Sequence, residues 1–331
     1  MKTSMSEPSA SSVEVSIIFV NWNSVAYLLE CIASIYENTK GISFEIIVVD
    51  NASPRGDVDR IKEKYSDVTI IKSIRNLGFA GANNLGFLQS RGEFVLFLNP
   101  DTKLVGPTIN ILLDQIRHLP NTGIVGCKML NTDLTVQITS IQKFPTILNQ
   151  IFNVEALQLR WPGCPLWDIS PLFNDPPKPI AVPIIPGACM LLQRSSFERV
   201  DMFSEEYFMY GEDLDLNFKL KQAGYTNYYV SNAVIIHHGG KSSSLQKVSQ
   251  WSTIMKYRAM TRYFLKTHGR SYQLGYRFAM GSVALVRLLI LGVIYPFLNI
   301  IKDKRTVENA LAKWTVVLKW AVGRQEAVVE E

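Results

Sequence analysis

Residues 94–102 of the chain read FVLFLNPDT, and this stretch carries the first indication of the fold. Five consecutive apolar residues of aromatic and branched types are typical of a strand that is buried on both faces of a sheet. Asn99, Pro100 and Asp101 follow and place a carboxylate at the end of that strand. By itself Asp101 fits either a turn or a metal ligand, because Asn, Pro and Asp all favour turns.

Three similar apolar runs precede this stretch, and segments with helical spacing separate them. The runs begin at Val15 (VSIIFV), Phe44 (FEIIVV) and Val68 (VTII). Alternation of buried strands with helices predicts an α/β fold with a mainly parallel sheet flanked by helices. The predicted helices lie after a Ser24 N-cap, around residues 58–65, within residues 78–90, and between Pro107 and Leu119.

The rest of the chain gives weaker signals. Residues 123–130 (GIVGCKML) and the run AVIIHH from Ala233 read as strands. Residues 144–183 are rich in Pro and Trp with little periodicity, which predicts a long loop region over one face. Residues 1–12 are polar and Ser-rich without an apolar segment, so we expect a disordered tail and not a signal peptide.

The composition is that of a folded protein with a mildly basic surface. The chain has 331 residues, of which 47% are hydrophobic and 19% charged, so it can bury a large core. A formal net charge of +5 suits anionic phosphates or anionic lipid and is too small to indicate nucleic acid. The four cysteines are widely spaced without a C-x-x-C pair, which disfavours a zinc site and fits reduced thiols in the cytoplasm.

Polar residues follow each of the first four strands. They are Asn21 and Asn23, then Asp50 and Asn51, then Asn76, and finally the Asn99–Asp101 pair. In open α/β sheets ligands bind at the carboxyl ends of the strands, so these residues are predicted to converge on one crevice. Each of them alone would also suit a turn or a helix N-cap. The sequence has no G-x-G-x-x-G after the first strand and no P-loop motif, which disfavours a dehydrogenase and a P-loop NTPase.

The segment NLGFAGANNLG at residues 76–86 places small residues near a predicted helix start. Bare backbone amides and small residues at Gly78, Gly81 and Gly86 are candidates for close approach to ribose or phosphate. The glycines could equally serve close packing of the helix on the sheet.

Two further clusters carry titratable groups. Glu212, Asp213 and Asp215 begin a predicted helix, where acids also compensate the helix dipole. His237 and His238 end the last predicted strand, and because neighbouring strand residues point to opposite faces, at most one of them can face a given site. A lone histidine is usually structural, whereas one beside a strand-end Asp is also a candidate metal or phosphate ligand.

In this order, the motifs VSIIFVNWN, EIIVVDNAS, RNLGFAGANNLG, FLNPDT, GEDLDL and HHGGKS resemble a family 2 glycosyltransferase of the GT-A fold. The sequence is most similar to the bacterial rhamnosyltransferase-like branch, over about residues 13–244. The resemblance implies inverting transfer of a sugar from a nucleotide diphosphate donor to a hydroxyl. The proposed donor is dTDP-L-rhamnose, with a UDP- or GDP-hexose transferase, or a catalytically silent nucleotide-sugar-binding scaffold, as the alternatives.

The resemblance also assigns roles to residues. Asp50 falls on the acid that binds the nucleotide base, and Asn76, Gly78 and Phe79 fall near ribose and diphosphate. The metal-binding D-x-D motif falls on residues 99–101, where Asn99 replaces the first acid, so Asp101 is expected to be the main carboxylate ligand for Mg²⁺ or Mn²⁺ and His237 a second ligand. The general base falls on Asp213 with Glu212 as its neighbour. The remaining predicted donor contacts are Asn21, Asn23, Asn51, Asn83 and Asn99.

Two further expectations concern the product and its specificity. Residues 157–161 (LQLRW) faintly resemble the Q-x-x-R-W signature of processive synthases, but Gln158 and Arg160 are one residue too close and precede the E-D pair. We therefore expect a non-processive enzyme. Loops around residues 187–190 and the YFMY segment from Tyr207 are expected to shape the sugar pocket.

The C-terminal part suggests contact with a membrane. Residues 278–301 are almost continuously apolar, but a central Arg287 costs roughly 2.5–3.5 kcal/mol on insertion scales. We predict an in-plane or re-entrant helix, with the Lys and Trp residues of 311–320 (LAKWTVVLKW) at the interface. A soluble helical hairpin on the catalytic domain or an oligomer contact is the alternative. The predicted organisation is thus a tail (1–12), a GT-A domain (13–267) and a C-terminal helical region (268–331). The protein is expected to be peripheral at the cytoplasmic face of the inner membrane. Its expected acceptor is a glycan or a polyprenyl-linked glycan.

Overall fold

The computed structural model describes residues 13–239, 250–294 and 304–324, so the predicted tail lies outside the described residues. The strands are β1 (Val15–Asn21), β2 (Phe44–Asp50), β3 (Thr69–Lys72), β4 (Phe94–Leu98), β5 (Thr102–Leu104), β6 (Thr122–Leu130), β7 (Ile180–Val182), β8 (Cys189–Gln193) and β9 (Thr226–His237). The helices are α1 (Val25–Asn38), α2 (Asp59–Lys64), α3 (Gly78–Leu88), α4 (Thr108–His118), α5 (Ile147–Ile151), α6 (Glu155–Arg160), α7 (Pro171–Asn174), α8 (Arg194–Arg199), α9 (Glu212–Gln222), α10 (Gln250–His268), α11 (Arg270–Ile294) and α12 (Lys304–Ala321).

The nine strands form one mixed, mainly parallel sheet in the order β3-β2-β1-β4-β8-β6-β9-β5, with β7 paired to β9. The strands β3, β2, β1 and β4 are parallel, as their sequence predicts. The β8 strand runs antiparallel to both β4 and β6 and joins this half to the parallel β6–β9 pair. Because β8 reverses direction, its first residue, Cys189, lies opposite Leu98 at the carboxyl end of β4.

Both faces of the sheet are covered, which explains why the central strands are mostly apolar and do not alternate between apolar and polar residues. On β1, Ile17 and Phe19 pack into a core with α1 and α4, whereas Ile18 packs into a second core with α3, α8 and α9. All three side chains are fully buried. The alternation of side chains along a strand assigns successive residues to opposite cores, so every residue of β1 is buried except Val20, which is partly exposed.

Ser24 is the N-cap residue of α1, as predicted, although its hydroxyl donates to Asn21 and makes no cap bond. Two other local predictions are wrong. Residues 144–183 hold the short helices α5 to α7 and the strand β7, because brief turns such as the Thr146 capping box organise a segment that has no long period. Met190 is not in a pocket loop, because it is buried in β8 opposite Phe97.

The C-terminal helices α10, α11 and α12 form a third core that also includes Leu214 of α9. Trp314 and Trp320 are only 8% and 6% exposed, so the prediction that they lie at a membrane interface is wrong. They belong to the buried face of α12. The guanidinium of Arg287 lies 4.3 Å from the Trp314 ring centroid, which turns this charge away from the outer face of α11.

The outer face of α11 remains apolar and exposed. Within the described residues α11 is the one helix that is long and apolar enough to cross a membrane, a criterion of length and composition only. Its candidate stretch, Arg270–Val293, has a mean hydropathy of 1.6 in the most apolar window, and 17% of that window is buried. Pro296 and Asn299, which the sequence places in the same apolar run, lie outside the described residues.

An ion pair between the partly exposed Lys266 of α10 and a buried carboxylate fastens α10 to α9. The fully buried Asp215 of α9 accepts hydrogen bonds from Lys266 Nζ at 2.7 Å and from Ser204 Oγ at 2.6 Å. Lys219 Nζ lies 4.0 Å from the same carboxylate. Of the three acids at the start of α9, Asp215 is therefore structural.

We expect Lys266→Ala to lower the free energy of unfolding by about 1–3 kcal/mol, because it leaves a buried carboxylate oxygen without its charged donor. Lys72→Ala is the matched control: Lys72 also lies 2.7 Å from a carboxylate, on Asp59, but both side chains are more than half exposed. Its expected cost is below about 1 kcal/mol. Urea denaturation of the two variants compares them, and equal losses would contradict a structural role for Asp215.

Candidate active site

The carboxyl ends of β1 and β2 form one corner of the site. Asn21 and Asp50 are register partners at the ends of these strands, and Asn21 Nδ2 donates to Asp50 Oδ1 at 2.7 Å. Asn21 Oδ1 in turn accepts from the backbone and hydroxyl of Ser24. Ser53 Oγ accepts from Asn21 Nδ2 and from the Asn23 backbone, both at 3.1 Å. The amide of Asn21 is thus used to orient Asp50 and is not free for a ligand.

Asn51 fixes the loop that follows β3. Its Nδ2 donates to Asn76 Oδ1 at 2.8 Å and to the Gly78 carbonyl at 3.1 Å, and its Oδ1 accepts from the Leu77 amide at 2.8 Å. Asn76 Oδ1 also accepts from the Gly78 amide at 2.9 Å. The structure therefore brings Asn51, Asn76 and Gly78 together, with the first two side chains engaged inside the protein.

Gly78 lies against the YFMY segment. Its φ is +70°, and a Cβ added there would lie 2.2 Å from the Phe208 carbonyl oxygen. The next amide, of Phe79, donates to that oxygen at 2.8 Å. Only glycine meets both requirements, the left-handed backbone and the close approach. Asn83 is buried and donates to the Phe79 carbonyl at 3.0 Å, so it supports this turn of α3 from within.

Asn99, Asp101 and His237 meet at the carboxyl end of β4. His237 Nε2 lies 3.4 Å from Asp101 Oδ1 and 3.4 Å from Asn99 Nδ2. Antiparallel pairing of Thr102 with His237 in β5 and β9 sets this approach. Gln137 holds the histidine from behind: its Nε2 donates to the His237 carbonyl at 2.6 Å, and its Oε1 lies 3.0 Å from His237 Nδ1.

The second histidine of the pair lies elsewhere, as strand alternation predicts. The His238 ring packs on Tyr27 with 5.5 Å between centroids, and its Nδ1 lies 3.4 Å from Thr132 Oγ1. Of the HHGGKS motif, residues 240–242 are outside the described residues. His237 is accordingly the histidine that faces Asp101.

Asn99, Asp101 and His237 suit a divalent cation that takes its remaining ligands from a bound molecule. Adjacent ligand atoms around an ion with bonds of about 2.1 Å are about 3 Å apart, close to the spacing of His237 Nε2 and Asp101 Oδ1. Nowhere in residues 13–239, 250–294 and 304–324 do three or more His, Cys, Asp or Glu side chains form a cluster that could hold a metal. The protein contributes a carboxylate and an imidazole, with Asn99 beside them.

The start of α9 brings two carboxyl groups to the other side of the site. Asp213 Oδ2 accepts from the Gly187 amide at 3.0 Å and Oδ1 from the Leu214 amide at 2.8 Å. Burial raises the pKa of Asp213 above its usual range, and these two amide bonds oppose the rise. Burial, and then the charge of Asp213, raise the pKa of Glu212 well above its usual range.

Glu212 also has an unsatisfied oxygen. Its Oε2 is buried and has no hydrogen-bond partner among the described residues. Gly211, with φ of +91°, turns the chain so that α9 begins directly at this glutamate. A buried acid with a spare acceptor beside Asp213 is suited to meet a polar group of a bound molecule.

Residues 187 and 188 connect the two sides. The Gly187 amide donates to Asp213, and the next carbonyl, of Ala188, accepts from the Asn99 amide at 3.0 Å. Asn217 anchors the segment from below, because it exchanges hydrogen bonds with both backbone groups of Ile185. Two successive residues thus link Asp213 to the Asn99–Asp101 corner.

Comparison with known proteins identifies the family. The sequence model described as glycosyl transferase family 2 matches residues 16–201, more than half of the chain. The chain belongs to glycosyl transferase family 2. This glycosyltransferase is 29% identical to the N-acetylglucosaminyl-diphospho-decaprenol L-rhamnosyltransferase of Mycobacterium tuberculosis over 215 residues, 62% of this chain and 69% of that protein. It is 25% identical to the rhamnosyltransferase WbbL of Escherichia coli over 257 residues, 75% of this chain and 93% of that protein.

The fold is that of GT-A glycosyltransferases. The structure of the mannosyltransferase PcManGT from Pyrobaculum calidifontis, solved with GDP-Man and Mn²⁺, superposes with a TM-score of 0.58 at 17% identity, covering 96% of this chain and 89% of that one. The predicted family, its rhamnosyltransferase-like branch, its fold and its glycosyltransferase class are thus confirmed. The family model ends before Glu212, Asp213 and His237, so their roles rest on the site geometry.

The sequence did not predict the residues whose side-chain hydrogen bonds fix the positions of the site residues. Asn217 follows Asp213 by one helical turn, and that spacing is a usable signal. Ser53 belongs to the DNAS motif after β2. Asn84, which exchanges hydrogen bonds with the backbone of Phe203, and Gln137 have no local signal, because their partners are about 100 residues away or more.

We expect Gly78→Ala to destabilise the protein by more than the strained backbone alone explains. Gly41 has nearly the same φ, +69°, but nothing within 4 Å of an added Cβ. Gly41→Ala should therefore cost about 1–2 kcal/mol, the price of a left-handed non-glycine residue, and Gly78→Ala clearly more. Urea denaturation measures both variants. Equal losses would show that the contact with Phe208 does not constrain position 78.

Proposed function

We propose that this glycosyltransferase transfers L-rhamnose from dTDP-rhamnose to a hydroxyl of a polyprenyl-diphosphate-linked glycan in cell-surface polysaccharide biosynthesis. Transfer is inverting, depends on a divalent metal and adds one residue or very few. The name of the Mycobacterium tuberculosis relative specifies a rhamnosyl group and a diphospho-decaprenol acceptor, and WbbL is likewise named a rhamnosyltransferase. The proposed location is peripheral, at the cytoplasmic face of the inner membrane. The exposed apolar face of α11 supports the membrane attachment.

The donor binds along the carboxyl ends of β1 to β4. Asp50, oriented by Asn21, receives the nucleotide base, and the backbone of the loop at Asn76 and Gly78 lies beside ribose and diphosphate. Fixed acceptors and amides of this kind hold the donor without reorganisation, because their partners inside the protein already set their positions.

Asp101 and His237 would hold a divalent metal, and Asn99 would contact the ion or the sugar. When bound, a divalent cation neutralises the charge that develops on the leaving diphosphate. Oxygen ligands suit Mg²⁺ or Mn²⁺, and the imidazole favours Mn²⁺. Since Asp101 and His237 are the two ligands proposed among the described residues, we expect weak metal affinity in the absence of donor.

Asp213 acts as the general base. Its raised pKa makes it a stronger proton acceptor than an exposed aspartate, and the Gly187 and Leu214 amides keep it oriented. It takes the proton of the acceptor hydroxyl as the hydroxyl oxygen attacks the anomeric carbon from the side opposite the diphosphate, which inverts that centre. Glu212, with its spare buried oxygen, binds or orients the acceptor.

The single observation that carries this proposal is the hydrogen-bonded link through residues 187 and 188, which sets a desolvated carboxylate beside the Asn99–Asp101 corner. A nucleotide-sugar-binding scaffold would need no buried acid at that position. Perturbed carboxyl groups in a ligand cleft are typical of catalytic sites.

Incubation of the full-length protein with Mn²⁺, a short prenyl-diphosphate-linked N-acetylglucosamine and a panel of dTDP-, UDP- and GDP-sugars tests the function. We expect transfer of a single rhamnose, with NMR showing an anomeric configuration opposite to that of the donor. Turnover with a UDP- or GDP-hexose only would contradict the donor, and long product chains would contradict non-processive transfer. Donor binding in a thermal-shift assay without any turnover would favour the scaffold.

Asp213→Asn should lower kcat by about 10²–10⁴-fold, the usual contribution of a general base, and leave donor binding unchanged. In the unmodified enzyme kcat should rise with pH through the raised pKa of Asp213, because only the ionised carboxylate accepts the proton. Rates are measured across pH with saturating donor, and Asp114→Asn on the exposed face of α4 is the control. Unchanged turnover in Asp213→Asn would exclude it as the base.

Gln137→Ala should raise the Mn²⁺ concentration needed for half-maximal activity by about tenfold or more, because the ring of His237 loses its hydrogen-bond partner. The dTDP affinity measured without metal should not change. Gln142→Ala, on the same loop with an exposed side-chain contact, is the control. An unchanged Mn²⁺ requirement would indicate that His237 is not a metal ligand.

A further inference from the structure

A basic groove lies between the YFMY segment and the C-terminal helices. Its volume is about 490 Å³. Arg258 and Arg262 of α10 and Arg277 of α11 line it, beside aromatic side chains. The aromatic lining residues are Tyr207, Phe208, Tyr210 and Trp320.

The positive charge of this groove is not neutralised by the part of the chain that the structure describes. None of the three arginines forms an ion pair there: Arg262 lies 5.7 Å over the Tyr207 ring, and Arg277 donates to the Trp320 carbonyl at 2.7 Å. The carboxylate among the lining residues, Glu206, lies 3.7 Å from Lys266. Arginines that converge without carboxylate partners form a site for a phosphate-type anion, which their planar donor groups match.

One end of the groove reaches the catalytic helix. Tyr210 and Ala259 line the groove, and Ala259 packs on Gly211, the residue directly before Glu212: a Cβ on Gly211 would lie 2.9 Å from Ala259 Cβ. A molecule held by the arginines is therefore adjacent to the start of α9, where Asp213 is located.

The other end opens onto the apolar face of α11. Leu274 and Phe278, one turn apart and flanking Arg277, are 54% and 80% exposed. The exposed apolar side chains then continue along the same helix with Leu285, Val286, Leu289, Ile290 and Val293. Because Arg287 turns towards Trp314, positive charge is concentrated in the groove and not distributed along this face.

We propose that this groove binds the diphosphate of the prenyl-linked acceptor, with Arg258 and Arg262 as its principal contacts and the prenyl chain along the exposed face of α11. The inference rests on the proposed function, because it identifies the acceptor side of the same site. A concave anion site that joins a carboxylate pair to an apolar helix face matches a molecule with sugar, diphosphate and hydrocarbon in that order. Anionic bilayer lipid would instead require cations spread along the outer face of α11.

The test uses the full-length protein in detergent micelles with geranyl diphosphate as the probe, and geranyl monophosphate and geraniol for comparison. Arg258→Gln/Arg262→Gln should bind geranyl diphosphate at least about tenfold more weakly, because charge-assisted hydrogen bonds are lost. The double variant should also have a higher KM for the prenyl-linked acceptor and an unchanged KM for dTDP-rhamnose. Arg60→Gln on α2, where Arg60 is more than half exposed, is the control.

The possible results of this test distinguish a failure of the groove assignment from a failure of the proposed function. Equal binding of geranyl diphosphate by the double variant and the control overturns the groove assignment, even when rhamnose transfer proceeds. Arginine-dependent binding without transfer of any sugar supports the groove and contradicts the proposed function. Loss of binding to phosphatidylglycerol vesicles, with geranyl diphosphate binding unchanged, assigns the arginines to bilayer lipid and also overturns the inference. Retention of most of the affinity in Arg258→Lys/Arg262→Lys, with folding intact, supports it.

Discussion

The site depends on the backbone at residues 187 and 188, where the antiparallel strand β8 begins. The Ala188 carbonyl accepts from Asn99 at the end of β4, and the Gly187 amide donates to Asp213 at the start of α9. An antiparallel neighbour of β4 must begin where β4 ends, whereas a parallel one would begin at the opposite edge of the sheet. The reversal of one strand in a mainly parallel sheet is therefore what brings the Asp213 carboxylate to the Asn99–Asp101 corner.

The sequence predicts the parallel half of the sheet well and the reversal not at all. The strands β1, β2 and β4 are recognisable because each carries four or five consecutive apolar residues, a local property that follows from burial on both faces. The edge strand β3 (TIIK) has only Ile70 and Ile71. The β8 strand (CMLLQ) is equally buried, but its direction and partners depend on contacts with β4 and β6, about 100 and 70 residues away. Short strands such as β5 and β7, with three residues each, have no period to detect.

The residues of the candidate site likewise fall into a group that the sequence predicts and a group that it does not. Strand-end residues such as Asp50, Asp101 and His237 were predictable because topology alone gathers carboxyl ends of parallel strands at one edge. Their partners were not, because Gln137 and Asn217 act through side-chain bonds to backbone that is distant in sequence. Several asparagines predicted to touch the donor have amides already engaged inside the protein. These bonds fix Asp50 and the loop at Gly78 before any ligand arrives, which is the preorganisation that a transfer site needs.

Packing among the C-terminal helices explains how the outer face of α11 is apolar although Arg287 lies near the centre of its apolar run. Arg287 would be costly in a bilayer, but its guanidinium lies over Trp314 of α12, so α11 can expose an apolar face without exposing that charge. The same contact opposes a membrane crossing, because α11 would have to take with it α12, whose outer face bears the exposed Glu308 and Lys319. A helix bound on one side to a polar partner and apolar on the other is stable when it lies in the plane of a membrane surface. If α11 lies in a membrane surface as proposed, the groove of Arg258 and Arg262 would be at the level of the lipid head groups, where the diphosphate of the proposed acceptor would also lie.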